Sequence, residues 1–267
     1  MAKITGPFNI NGSFGGFRSY RDGDTGEQIL STKRRKNSKN YKNKSSAARV
    51  TELNREFKAL NIWAKLIRRG TAELIYLKKG RINGKLVSIG KRIQLMNTFE
   101  KRGHRRIESS KFNYPLIGFC MNNAHPFKAV CNVEPEISIS DNRREVTLKL
   151  TNFISHLKFK WNETVSYYRI YLTVFELPDV EWNEYERDFL PVYPCIFLNT
   201  KTIVSDWIAV STDPINFQIS VSFDQNALPR EKTTVVVSVG FEFATAIQHN
   251  TPYVVKDNGT MAIMDCF

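Results

Sequence analysis

Apolar residues recur along this chain with two different periods, and the change of period divides it. Val50, Leu53, Phe57, Leu60, Ala64 and Ile67 step by three and four, which predicts one apolar face of a helix. Trp63 and Leu66 widen that face. Ser46 serves as N-cap, although Arg49 stands where a capping-box acid would be. Gly70 either ends this helix or lies within a longer one reaching Lys79. Arg81-Ile82-Asn83-Gly84 reads as a turn. A second helix is expected from Lys85 to about Arg102, with Leu86, Ile89, Ile93, Met96 and Glu100 at helical steps. The pair predicts an antiparallel helical hairpin.

After Lys111 the pattern changes. Tyr114-Pro115, His125-Pro126 and Glu134-Pro135 interrupt any helix. Short β-rich runs, several of them alternating, follow at 136–140, 145–153, 167–177, 195–198, 203–210, 216–223, 233–243 and 260–267. Such runs, separated by turn residues, predict an antiparallel β-sandwich, Ig-like or jelly-roll-like. Asp257-Asn258-Gly259 is the clearest hairpin turn among them. At the front, Gly-rich sequence alternates with Phe8, Phe14, Phe17 and Tyr20. Asp22-Gly23-Asp24-Thr25-Gly26 separates Phe17–Arg21 from Gln28–Thr32 and predicts a β-hairpin. A lone hairpin is marginal in water, so it must lean on another part of the chain or on another chain. The fold class read from these patterns is α+β. The expected domains are a Gly-aromatic hairpin and basic arm (1–46), a basic helical hairpin (47–111) and the sandwich (112–267).

Charge sharpens this division. Residues 1–111 carry 27 Lys/Arg against 8 Asp/Glu, and residues 112–267 carry 12 against 18. The front half is thus net +19 and the rear net −6, within a chain of net +13. Such a field draws a polyanion or an acidic protein surface to the front half.

The segment 33–44 concentrates that charge: seven of its twelve residues are basic and none is acidic. Nothing in it can pack a core, so it reads as an extended arm. Lys33, Arg34, Arg35, Lys36, Lys39, Lys42 and Lys44 can neutralise phosphates, and Tyr41 can stack on a base or sugar. A solvated linker is the plainer alternative, but uncompensated cations repel one another unless something neutralises them. A second basic knot supplies Arg102, Arg105 and Arg106 to the same set. The Arg and Lys residues on the helices read mainly as a solvated face. No helix-turn-helix, zinc-finger or RNA-recognition signature accompanies them, so backbone contacts are expected without base readout.

The rear half has an acidic counterpart in Glu176, Asp179, Glu181, Glu184, Glu186 and Asp188, with Trp182 and Tyr185 between them. The plainest reading is a charged loop between strands. A second is contact with the basic arm of a neighbouring copy, through Glu181, Trp182, Glu184 and Glu186. Phe14, Phe17 and Tyr20 of the hairpin could likewise add to an open sheet edge. A third reading is a glycosidase-type carboxylate pair, which would require a cleft around Glu181 and Glu184.

Motifs for other chemistry are missing. His104, His125, His156 and His249 form no zinc-binding helix motif. Gly12-Ser13-Phe14-Gly15-Gly16 lacks the lysine of a P-loop, and there is no nucleophile elbow. Cys120, Cys131, Cys195 and Cys266 have no C-x-x-C spacing, and reduced thiols are favoured over a Cys120–Cys131 disulfide. No metal, cofactor or small-molecule substrate is expected, and the chain is read as no enzyme. There is no run of 18 apolar residues and no signal-peptide pattern at the N-terminus, so a cytoplasmic location or a virion-like assembly is expected.

One resemblance bears on the architecture. It rests on the Gly-rich start (Ile10-Asn11-Gly12-Ser13-Phe14-Gly15-Gly16-Phe17), the basic segment and the helix with Ala64-Lys65-Leu66-Ile67-Arg68. Val239-Gly240-Phe241-Glu242-Phe243 and Tyr253-Val254-Val255-Lys256-Asp257-Asn258-Gly259 complete it. This order resembles a family of bacterial proteins of unknown function. The resemblance implies the architecture above and no catalytic residue. The resemblance leaves the function open, and the charge of the front half carries the expectation that the chain binds DNA, RNA or another polyanion there, without enzymatic activity. The alternative is a self-assembling structural subunit, phage- or capsid-like or filament-forming, as a homo-oligomer or polymer.

Overall fold

The computed structural model of the chain describes residues 2–4, 11–22, 26–32, 45–161, 165–194, 199–223, 231–247, 251–254 and 258–267. The basic arm (Lys33, Arg34, Arg35, Lys36, Lys39, Tyr41, Lys42, Lys44), the expected strand 195–198 and the side chain of Phe14 lie outside the described residues. Two compact units divide the chain after Thr51.

In the first unit, Met1–Thr51, β1 (Ala2–Ile4), β2 (Gly12–Phe14), β3 (Phe17–Arg21) and β4 (Gln28–Thr32) form an antiparallel sheet in the order β1-β4-β3-β2. The hairpin expected from the Asp/Gly cluster is β3–β4, paired from Phe17↔Thr32 to Arg21↔Gln28. It leans on a strand at each side. Gly15 takes φ 54° in the tight β2–β3 turn, where a side chain would be strained. Ser19 and Gln28 are buried, and Gln28 Nε2 donates to Ser19 Oγ at 2.7 Å.

The helix α1 (Ser45–Gly70) ends at Gly70 because the chain must pass tightly there: a Cβ at Gly70 would lie 2.2 Å from the Phe175 ring. A 3₁₀ turn (Ala72–Leu77) then leads to α2 (Asn83–Met96). Gly90 of α2 sits against the Trp63 ring of α1, where a Cβ would approach to 2.9 Å. The second helix stops at Met96, not near Arg102. Asn97 leaves helical geometry, and its Oδ1 accepts the Glu100 N–H at 3.2 Å, so a side-chain turn competes with the next helical turn. Single helical turns α3 (Phe127–Val130) and α4 (Ser155–Lys158) follow in the connections.

The rear strands are β5 (Glu136–Ile139), β6 (Glu145–Phe153), β7 (Tyr167–Pro178), β8 (Val180–Asn183), β9 (Asp188–Pro191) and β10 (Thr200–Val204). They continue with β11 (Ile208–Ala209), β12 (Ile215–Ser222), β13 (Thr233–Ile247), β14 (Thr251–Tyr253) and β15 (Gly259–Cys266). The larger sheet runs β10-β7-β13-β14, with β11 also on β7 and β15 also on β13. The smaller runs β12-β6-β5, and β8–β9 is a separate hairpin. All these pairings are antiparallel. The run read as one strand, 203–210, is split into β10 and β11. There Ser205 Oγ accepts the Ile170 N–H and interrupts the ladder.

Period two explains how the layers meet. On β7, Tyr168, Ile170, Leu172 and Val174 face a core shared with Val146, Leu148 and Leu150 of β6. Tyr171, Phe175 and Leu177 face the opposite way, into a core with Trp63, Ile67, Leu86 and Ile93 of the helices. The larger sheet is therefore covered on both faces, by a sheet and by helices. Each fully buried Val, Leu or Phe adds roughly 1.5–3 kcal/mol of transfer free energy. The fold is α+β with a C-terminal sandwich, and the helical segment after Thr51 belongs to the same unit as the sandwich.

Candidate nucleic-acid interface

The acidic hairpin β8–β9 meets cations of its own chain. Glu181 accepts from Arg106 Nη1 at 3.3 Å and from Lys232 Nζ at 3.1 Å. Asp188 pairs with Lys58 of α1, whose ammonium holds the carboxyl below its ordinary range. Trp182 stacks flat on His104, with centroids 4.4 Å apart and planes 6° apart. The Arg55 guanidinium lies 5.2 Å from the Trp182 ring and contacts His104 Nε2 at 3.3 Å. Of the residues expected at a contact between copies, Glu181 and Trp182 are thus engaged inside the chain. Glu184 is 81% exposed, with a carboxylate oxygen 4.0 Å from His104 Nδ1, and Glu186 is exposed. In the first unit, Phe17 is exposed and Tyr20 half-buried.

The second basic knot is also largely committed. Arg105 clasps Glu56 with two hydrogen bonds, Nε to Oε1 at 2.7 Å and Nη2 to Oε2 at 3.0 Å. Lys91 Nζ adds a third at 2.6 Å, and the Gly103 N–H a fourth at 2.9 Å. The Glu56 side chain is 2% exposed. Burial works to raise its pKa, but the hydrogen bonds from Arg105, Lys91 and Gly103 outweigh it and hold the carboxyl down at about 2. Arg106 is held by Glu100, which accepts from Arg106 Nε at 2.5 Å and from its backbone N–H at 2.7 Å. Of the three arginines read from the knot, Arg105 and Arg106 serve carboxylates of the chain, while Arg102 is exposed and makes no ion pair among the described residues.

A different set of cations is left over. Lys65, Arg68 and Arg69 are exposed on the last turns of α1. Residues spaced by three and four share one helix face, with Cβ atoms about 5–6 Å apart. Lys78 returns to the same helix end, with Nζ 3.5 Å from the Arg68 carbonyl oxygen. No carboxylate pairs with any of these four among the described residues. Glu73 is the one acid between 65 and 81, and it too makes no ion pair there. Burial, then the Arg68 charge, push the Lys78 ammonium down to about 8. The sequence treats Arg68 and Arg69 as ordinary solvated positions. Only the fold reveals that Arg55 and Lys58 of α1 are engaged by Trp182 and Asp188, while Lys65, Arg68 and Arg69 on its last turns make no ion pair among the described residues.

Among the described residues no group of three or more His, Cys, Asp or Glu is placed to hold a metal ion. Cys120, Cys131 and Cys266 are free thiols. No described helix is long and apolar enough to cross a membrane. No family model, no curated protein and no solved structure matches this chain.

Proposed function

We propose that the chain is a non-enzymatic protein whose front half binds nucleic acid through the phosphate backbone, without reading sequence. The observation that carries this is the charge left over after internal pairing. The front half holds 27 basic residues against 8 acidic ones. Among the rear carboxylates that reach it, Glu181 and Asp188 engage Arg106 and Lys58, and its own Glu56, Glu100 and Glu108 engage Arg105, Lys91, Arg106 and Lys111. Lys65, Arg68, Arg69, Lys78 and Arg102 make no ion pair among the described residues, and the basic arm adds seven charges in sequence. Surplus cations of this kind bind by releasing condensed counterions, which favours any phosphate backbone over any particular base.

An electrophoretic mobility shift at low salt, with duplex DNA, single-stranded DNA and RNA of equal length, tests this reading. Retardation of at least one of the three, independent of base sequence, is expected. Absence of any shift, or a shift with heparin alone, contradicts it.

Edge strands favour a second reading. Among the described residues β1 and β2 lie at the ends of their sheet, and edge strands are templates for another strand. On this reading the chain self-assembles through the first unit. Sedimentation velocity across protein concentration, without nucleic acid, separates the two. Growing polymers support assembly, and a single monomer boundary at every concentration rejects it.

A further inference from the structure

The cations at the end of α1 stand together without a carboxylate among the described residues. The site lies where the helix stops. Gly70 is pressed on Phe175, the chain turns at Thr71, and the 3₁₀ turn brings Lys78 back beside Arg68. Thr71 Oγ1 donates to the Ile67 carbonyl at 2.9 Å, and Arg68 Nε to the Ala64 carbonyl at 3.4 Å. These bonds and the Lys78 contact satisfy carbonyls at the helix end. That capping role accounts for some of the positive charge, because a helix C-terminus carries about half an elementary negative charge. Four cations exceed it several-fold. Elsewhere in this unit some cations meet carboxylates: Lys58 meets Asp188, Arg106 meets Glu100 and Arg169 meets Glu242. Lys78 instead faces a like charge on Arg68, in a place half-withdrawn from water. Lys65, Arg68, Arg69 and Lys78 thus stand together at one helix end with no carboxylate among the described residues to neutralise them, which leaves a seat for an anion.

We infer that Lys65, Arg68, Arg69 and Lys78 form a binding site for consecutive phosphates of a nucleic-acid backbone. The inference rests on the proposed function and adds where the backbone lies. Arg68 and Arg69 offer guanidinium N–H groups that suit phosphate oxygens. Lys78 supplies a point charge whose unfavourable pairing with Arg68 is relieved when a phosphate sits between them. Lys65 lies one turn earlier on α1 and extends the track.

The test measures binding of a labelled duplex DNA oligonucleotide by anisotropy, across a salt series, for wild type, Arg68→Gln, Arg68→Gln/Lys78→Met and the control Arg92→Gln. Arg92 is an exposed cation on α2. Each duplex phosphate contact contributes about −0.9 to the log–log salt slope. The double variant is expected to bind with a slope shallower by about 1.8, Arg68→Gln by about 0.9, and the control as wild type. Lys78→Met keeps the aliphatic stem, and the exposed Arg68→Gln reports even if the Lys78 change perturbs folding. Wild-type slopes in both variants, with wild type binding DNA, overturn the site and leave the proposed function standing. No binding by wild type overturns the proposed function itself.

Discussion

Glu56 shows how a single buried acid organises the front half. It sits on α1, yet its partners come from α2 and from the segment after it, so one carboxylate ties together three stretches of chain. Glu56→Gln leaves Arg105 and Lys91 without their counter-charge in a dry place. A loss of about 3 kcal/mol is expected, at the low end for a broken buried ion pair, read by urea unfolding at pH 7. The sign of the pH effect follows from the depressed pKa. The Glu56 contribution is fully present above the ordinary carboxyl value of 4.5 and is lost as pH falls through about 2. Asp179 has the opposite sign. Burial raises its carboxyl to about 6, against hydrogen bonds from the Ser110 N–H at 2.9 Å and the Ser110 hydroxyl at 2.5 Å. The folded protein therefore takes up a proton at Asp179 more readily than the unfolded chain. Compared with Asp179→Asn, wild type is expected to gain stability as pH falls from about 7 to about 5. Paired unfolding curves at the two pH values check it, and a loss of stability relative to the variant contradicts the assigned shift. The partner of neither carboxylate is visible in the sequence, because Arg105 lies 49 residues from Glu56 and Ser110 lies 69 from Asp179.

Among the elements, periodicity is a good guide wherever one face is buried. β6 spans Glu145–Phe153, as its alternation predicts, and the hairpin β3–β4 occupies its predicted residues. Failures occur where side chains compete with the ladder or the helix. Asn97 stops α2 early, and Ser205 splits a predicted strand. The apolar face of α1 is also only partly used. Leu60, Trp63, Ala64 and Ile67 are buried, while Leu53 and Phe57 are exposed, and with Val87 and Leu95 they line a groove between the helices. Helical period places residues on one face but does not say how far a neighbour covers it. The contact of α1 with β7 makes a sharper prediction. Gly70→Ala adds a Cβ that would lie 2.2 Å from the Phe175 ring. Alanine gains about 1 kcal/mol of helix propensity, yet overpacking of this kind costs about 1–3 kcal/mol and more when the backbone cannot shift. A lower Tm than wild type is expected from calorimetry. A higher one shows that propensity prevails and that the helix and sheet can separate at this point.

Across the whole molecule, charge is what the sequence displays most plainly and what the fold rearranges most. The division into a basic front and an acidic rear is visible in the residue counts. Which cations remain free is not, because that depends on the meeting of α1, the knot around Arg105 and the hairpin β8–β9. The acidic stretch is largely a counter-surface for its own chain, with Trp182 packed against His104 and Arg55, which also touch each other. The positive surface that survives includes the end of α1 and Arg102, and the arm adds to it in sequence. The central claim is that this surplus binds a phosphate backbone. The most direct measurement is the affinity of the full chain for duplex DNA across a salt series. A log–log slope of about −4 or steeper is predicted, corresponding to several neutralised phosphates at about −0.9 each. Absence of binding at low salt, or an affinity that does not change with salt, would contradict it.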